Sequence, residues 1–594
     1  MAEKKSQIKG VFNWTFFAVV IACLILVNIV SSFVNTRIDA TKDNRFSLSN
    51  GTIEYLENED NFNNRLLLKI YLDGNLPASL SYFKEAIEDK LKEFKEHTGK
   101  RIEYEFINPN AGTEGENREL WENLYNKAQG IIPMDITYSK EGSQSQMTVW
   151  PGALIEYGGS TVNVIQFLPG TTIGKPYQME GMGEVIQNSV NNLEYILVSS
   201  IRKAVEDKKP VIGILQGHGE LNFQQTQRAR ALISPYYVLR EIDIKDSLAA
   251  LNGVDGLIIA NPKSQISDKE LYIIDQFVMR GGRLMCFLDA LKIPEDTLQA
   301  TGITHTLRNK TGLDKMLFDY GLKINDNLVI DAQCAPKAVP FAKQSIIPWF
   351  YNVLASTTSH PIARNLEPVS LEYVNEIQFV GNSETIALTP VLTSSTNSTR
   401  TGMAPMVSLA MPLNYGKDPK LVPNPKEETN KLCLAGLAEG YFTSHFKNRI
   451  VDDFVNSPLI KYNEKSSKEG KVFLVGNGRF IENDFDSTLN AKGTQYIYKP
   501  KPYNDLRFDP KVAEMGIRLF YGNPEFFQNT VDYLMGDNSV LDIRSRQIDI
   551  HKIDKSKLVT SAGFYKTINM ILPSAVVLLL ALMFFYIRKK KYAQ

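Results

Sequence analysis

Uncharged apolar runs occupy both ends of the chain, and shorter apolar segments of two distinct periods fill the middle. Val11 to Val34 (VFNWTFFAVVIACLILVNIVSSFV) and Met570 to Ile587 (MILPSAVVLLLALMFFYI) carry no charge. Each is long enough to cross a hydrocarbon core of about 30 Å. The first exceeds the apolar core of a signal peptide, and Val30-Ser31-Ser32 is a poor cleavage site, so it is expected to remain as an anchor. Pro573 is placed in the first turn of the second helix, where a missing amide costs little. Lys4, Lys5 and Lys9 precede the first run and Arg588 to Lys591 follow the second. Basic flanks face the cytoplasm. The pattern therefore predicts a two-pass protein of a cell membrane, with both termini cytoplasmic and a large exported region between them.

Within that region Ser49 or Asn50 can cap a helix starting near Thr52. Leu66 to Leu72 reads as a strand. Leu80, Phe83, Ile87, Leu91 and Phe94 recur at helical spacing, which predicts a helix from Leu80 to His97. Ile102 to Ile107 returns as a strand, a helix is expected around Arg118 to Ala128, and two β segments flank Gly158-Gly159 as a hairpin. These elements predict a small thioredoxin-like α/β domain. A helix from Met182 to Glu206 then leads to continuous apolar strands at Val211–Gly217, Tyr236–Ile244, Val254–Pro262, Gly281–Ala290 and Lys471–Phe480. Strands without polar alternation, separated by helices, predict a parallel sheet covered on both faces. Thr393 to Asn430, rich in Thr, Ser, Asn and Pro, reads as a long excursion, and Pro510 to Met535 as a helix.

The resulting division is a cytoplasmic N-terminus (1–10), a membrane helix (11–34), an exported α/β domain (35–180), a connecting helix (181–207), a larger α/β domain (208–545) with an insertion at 331–430, a juxtamembrane segment (546–568), a second membrane helix (569–587) and a tail (588–594).

Charge changes the picture by exclusion. Lys+Arg and Asp+Glu number 66 each, so no basic field invites nucleic acid. Cys23 lies in the first apolar run, and Cys286, Cys334 and Cys433 have neither disulfide-framework nor zinc spacing. A Cys334–Cys433 bridge is one reading and buried free thiols the favoured one. His97, His218, His305, His360, His445 and His551 are scattered without a metal pair, and no metal or other cofactor is expected.

Candidate chemistry concentrates in Gly217-His218-Gly219-Glu220, after a buried strand, where doubly wound sheets bind ligands. Asn222 stands where a dinucleotide fingerprint needs its third glycine. Gly181-Met182-Gly183 and Gly476-Asn477-Gly478 show the same partial pattern. The favoured reading is a tight turn whose glycines permit positive φ and whose exposed His218 and Glu220 tolerate truncation to within about 0.5 kcal/mol. The sharper reading is a turn that meets a ligand or partner through those side chains. Gly170 to Pro176 imitates a phosphate loop but has Pro176 where Ser or Thr must hold magnesium. No G-x-S-x-G elbow is present, Cys286 falls inside an apolar strand, and Asp289 lacks an evident partner, so no catalytic residues are assigned.

The phrases RIDATKDNRFSLS, KIYLDGNLPA, EYEFINPN, PGALIEYGG, GILQGHGELN and YGNPEFFQNTVDYLMGDNSVLDIRSRQIDIHKIDK run from near Asn35 to the C-terminal tail. In them the chain resembles the gliding-motility-associated G component (GldG family) of a Bacteroidetes ABC transporter. The resemblance implies an ABC-transporter auxiliary domain with a class I glutamine-amidotransferase-like sheet at 208–545. It implies an inner-membrane subunit with a periplasmic region, partnered by a multi-spanning permease and a cytoplasmic ATPase, with room for a further periplasmic protein. The expected function is a non-catalytic accessory subunit whose exported domains bind a partner or couple ATPase-driven motion. The competing expectation is a solute-binding receptor or degenerate enzyme using the Gly217–Glu220 turn.

Overall fold

The computed structural model describes residues 47–99, 101–127, 130–140, 143–168, 177–178, 182–205, 208–245, 247–338, 346–364, 366–381, 385–414, 431–447, 461–490, 496–500, 521–536 and 555–592, with isolated positions at 17, 19, 21–23, 25, 26, 449 and 512. The phosphate-loop mimic at 170–176 lies outside them, as does most of the first apolar run. The seven positions of that run that are described are helical and exposed.

The N-terminal part begins with α1 (Asn50–Glu57), whose first turn is capped by the Ser49 hydroxyl accepting from the Thr52 amide. β1 (Leu66–Ile70), α2 (Ala78–Thr98) and β2 (Ile102–Phe106) form a parallel β–α–β unit. α2 buries Leu80, Phe83, Ile87, Leu91 and Phe94, one face at 3.6-residue period, and Gly99 ends it. After α3 (Glu114–Glu122) comes a hairpin of β3 (Met134–Lys140) and β4 (Ser143–Val149), then a second of β5 (Gly152–Tyr157) and β6 (Ser160–Gln166). The main N-terminal sheet has the order β2-β1-β5-β6, with β5 antiparallel to β1. The connecting helix is two helices, α4 (Gly183–Asn191) and α5 (Leu193–Val205). They break at Asn192, a poor helix former whose amide still caps the first of them.

The larger part contains β7 (Val211–Gln216), α6 (Gln227–Ile233), β8 (Val238–Asp243), β9 (Gly256–Ala260), α7 (Asp268–Met279), β10 (Arg283–Phe287), α8 (Leu313–Asp319), β11 (Cys334–Ala338), β12 (Ile346–Thr357), β13 (Ile386–Thr393), β14 (Cys433–Gly440), β15 (Gly470–Val475) and α9 (Asn523–Met535). Their sheet runs β11-β12-β13-β14-β15-β10-β9-β7-β8. From β15 to β8 neighbours are parallel, and from β15 to β11 they are antiparallel. In β7, β9, β10 and β15 both faces are buried, which explains their unbroken apolar runs, whereas the edge strand β8 is mostly exposed. Ile258, Met285 and Phe473 point into a core shared with α6 and α9, whereas Ile259, Cys286 and Leu474 point into one shared with α7 and α8.

Three segments differ from the sequence reading. The insertion expected at 331–430 contains strands of the main sheet, since β12 and β13 pair within it, whereas the excursion expected at Thr393–Asn430 begins only where β13 ends and falls partly outside the described residues. Ser/Thr/Pro-rich composition is a loop signature only locally and cannot register a partner some fifty residues away. The helix at 510–535 begins at Asn523 within the described residues, after Gly522 and with Pro524 in its first turn. The C-terminal helix α10 (Lys555–Tyr592) starts well before the apolar run, so Pro573 lies in its interior. There it removes one ladder bond, and the Ser574 hydroxyl donates to the Met570 carbonyl nearby at 3.4 Å. Lys566 to Lys590 of α10 is the one helix among the described residues long and apolar enough to cross a membrane. A second such helix is not among them.

Candidate functional site

The chain leaves β7 for β8 on one side and returns to β9 on the other, so the carboxyl end of β7 is where a doubly wound sheet opens a crevice. Here the crevice is stitched. The Lys263 and Ser264 amides donate to the His218 carbonyl at 2.8 and 3.0 Å, and the Leu221 amide donates to the Ala260 carbonyl at 3.1 Å. Gly217 (φ 117°) and Gly219 (φ 78°) take backbone conformations that side chains resist. The Lys245 ammonium caps the Gly217 carbonyl at 2.6 Å.

His218 is 3% exposed and sits between two carboxylates. Its Nδ1 is 3.1 Å from Glu220 Oε1 and its Nε2 is 3.1 Å from Glu270 Oε1. The His218 amide donates to Glu220 Oε2 at 2.7 Å, and the Ser267 hydroxyl and amide donate to Glu270 Oε2 at 2.6 and 2.8 Å. All four carboxylate oxygens and both ring nitrogens are therefore engaged within the protein. Burial pushes the Glu270 carboxyl up, but the Ser267 hydroxyl and amide and the His218 ring outweigh it and hold the group below its ordinary value. The expectation of exposed, dispensable His218 and Glu220 side chains is corrected: both are buried. The turn's only local signal for its distant partner was Ser267-x-x-Glu270, a capping box at the start of α7.

Of the two acidic residues that follow on β8, Glu241 pairs with Arg230 at 2.8 Å and Asp243 accepts from the Lys245 amide at 2.9 Å. Asp289, which the sequence left without a partner, accepts from the Gly478 amide at 2.6 Å. Asn477 is buried and its amide donates to the Glu372 carbonyl. Arg479 pairs with Glu295 at 2.9 Å and with Glu482. Burial alone would lower the Arg479 guanidinium, yet Glu482, Glu295 and Glu372 raise it above its ordinary value. At the end of β15, a Cβ on Gly476 would collide with the Asn375 carbonyl oxygen. Gly476→Ala is expected to cost about 3 kcal/mol, within the range of overpacked sites. Comparing apparent Tm of the two full-length proteins checks this, and an unchanged Tm would contradict it.

Nucleophile chemistry has little support at these positions. The cysteines at 286, 334 and 433 are free. Burial raises all three thiols, Cys334 to about 11 and Cys433 to about 12, and the thiolate is the reactive form. Among the described residues no His, Cys, Asp and Glu group has the arrangement to hold a metal. Gly183 opens α4 and Met182 caps it, so the Gly181–Gly183 pattern is a helix start where it is described.

A family model described as an ABC-type uncharacterized transport system matches residues 209–509, just over half of the chain. The chain belongs to this transport-system family. The match spans β7 to the Phe485–Leu489 and Tyr496–Pro500 hairpin, the stretch of this chain that forms the large sheet. Membership associates the chain with ABC-type transport in an auxiliary role, and such systems in general join a permease to an ATPase. A second model, a domain of unknown function (DUF7088), matches residues 42–156, the N-terminal α/β part. An uncharacterized protein of Borreliella burgdorferi is 24% identical over 425 residues, covering 69% of this chain and 72% of its own. Among solved structures, the mmIFT52 N-terminal domain is 12% identical over 46% of this chain and 88% of its own, with a TM-score of 0.27. A GH42 beta-galactosidase, Gan42B, is 11% identical over 50% of this chain and 32% of its own, with a TM-score of 0.20. At such TM-scores neither bears on this chain's fold or function.

Proposed function

We propose that the chain is a non-catalytic accessory subunit of an ABC transport complex, held in the inner membrane by α10 and by the first apolar run. Its two α/β domains lie in the periplasm, where they bind a partner or relay motion driven by the ATPase. The observation that carries this reading is the family match across the large sheet. Two others support it: the exposed apolar span of α10, and a β7 turn whose polar groups are spent on one another rather than offered to a substrate. The order β2-β1-β5-β6, with α2 crossing between the parallel pair, supports a thioredoxin-like N-terminal domain. The five parallel strands support an amidotransferase-like sheet that lacks the nucleophile. The tie to gliding motility rests on the sequence phrases that resemble the GldG family.

Affinity capture through a C-terminal tag tests both the complex and its topology. Inside-out vesicles are expected to present the tag, and the captured material to contain an ATPase and a multi-spanning permease. Capture from sealed spheroplasts, or recovery of the chain alone after gentle solubilisation, would count against the proposal.

A further inference from the structure

A cleft of about 680 Å³ lies away from the β7 turn, between the outer face of α8, the residues following strand Leu322–Ile324, the loop at 400–403 and the segment after β14. Its size is that of a small-molecule site. Five cations line it against three carboxylates, Asp314, Asp319 and Asp326, in a chain whose charges balance. Two of the five cations are already paired, Arg308 with Asp326 at 2.6 Å and Arg400 with Glu376 at 3.2 Å. Asp319 is taken by His445 Nδ1. Lys315, Lys323 and Arg449 make no ion pair among the described residues, although the Arg449 guanidinium lies over the Phe446 ring at 6.0 Å.

Two further observations point to a ligand. His445 lines the cleft and is 6% exposed, yet its Nε2 has no hydrogen-bond partner. Buried nitrogens are rarely left so, and because this one has no exposed surface a ligand oxygen meets it only once the ring turns toward the cleft. Beside the cations, Phe318 is 49% and Met403 84% exposed, so the same cleft offers apolar surface to solvent. Cations fit an anionic head, and the Phe and Met fit an apolar body.

We propose that this cleft binds an amphiphilic anion, a phosphate or carboxylate head joined to a short apolar group. Lys323 and Arg449 hold the head, and Phe318 with Met403 holds the body. The head belongs either to a soluble metabolite or to an anionic lipid at the membrane surface, and the chemistry of recognition is the same. The site is independent of the transporter reading, so loss of companion subunits leaves it intact.

The test uses the full-length protein in phosphatidylcholine nanodiscs, titrated calorimetrically with phenyl phosphate and, separately, with inorganic phosphate. Saturable binding of phenyl phosphate, at least tenfold tighter than inorganic phosphate, is expected. K323Q/R449Q should weaken it at least tenfold, and F318S should bring phenyl phosphate down to the level of inorganic phosphate. R280Q/K468Q, in a separate basic cleft, should leave binding unchanged. Suppression of wild-type binding in phosphatidylglycerol nanodiscs assigns the head to a lipid, and persistence assigns it to a soluble anion. Absence of saturable binding, or equal binding by wild type and K323Q/R449Q, overturns the proposal.

Discussion

His218→Ala is expected to lower stability by about 3–5 kcal/mol, the cost of removing one partner from a buried charged network. The ring supplies the shared contact of Glu220 and Glu270, both buried, at 3.1 Å each. Truncation leaves each carboxylate with an oxygen lacking its partner, and brings two like charges to face each other across a void. The bonds that Lys263 and Ser264 donate to the carbonyl of residue 218 remain, so the loss is confined to the side-chain network. A fall in apparent Tm of about 4–7 °C for the full-length protein in nanodiscs is the expected reading. Glu270→Gln should fall less, because its amide oxygen can still accept from Ser267 or the ring. A His218→Ala protein with wild-type Tm would show that the three side chains do not hold the turn. Function lost at unchanged Tm would revive a ligand or partner contact there.

That expectation reverses what the turn suggested as a string of residues. Gly217 and Gly219 could be read locally, because positive φ in a tight turn is a property of the backbone itself. The fate of His218 could not, because burial there is decided by Glu270, fifty-two residues on, and by the loop after β9 that closes over the turn. The same distinction runs through the fold. β9 and β10 were visible as apolar runs since each residue meets one core or the other, as Leu257 and Ile258 do. The helical face of Leu80, Phe83 and Ile87 was visible for the same reason. β13, whose outward positions are half exposed and which carries Pro390 mid-strand, gives no continuous apolar run, and the start of α10 is hidden by polar residues that are helical without being apolar. The basic cleft draws on five segments between residues 308 and 449, so no local motif announces it.

Asp275→Ala should be as damaging as His218→Ala, by about 3–5 kcal/mol, because it leaves four buried groups without their hydrogen-bond partner, and the reason can be separated by pH. Asp275 lies on α7 with no exposure and accepts four hydrogen bonds. The Tyr320 and Ser444 hydroxyls donate at 2.7 Å each, the His445 amide at 2.8 Å and the Gln276 amide group at 2.9 Å. One side chain thus ties α7 to the end of α8 and to the segment after β14. Asp275→Asn keeps the volume but turns one acceptor oxygen into a donor group facing donors, so it should also destabilise. Burial raises the Asp275 carboxyl above its ordinary 3.8, and the four donors do not fully offset it. The folded state therefore holds this proton at pH values where the unfolded chain has released it. Its contribution to stability is complete below 3.8 and declines as pH rises through the higher folded value. Asp275→Asn has no such titration, so the Tm gap between wild type and Asp275→Asn should be widest near the low end of that window and narrow as pH rises. A gap that widened with rising pH would mean that the ionised carboxylate, rather than the buried acid, is the form this network favours.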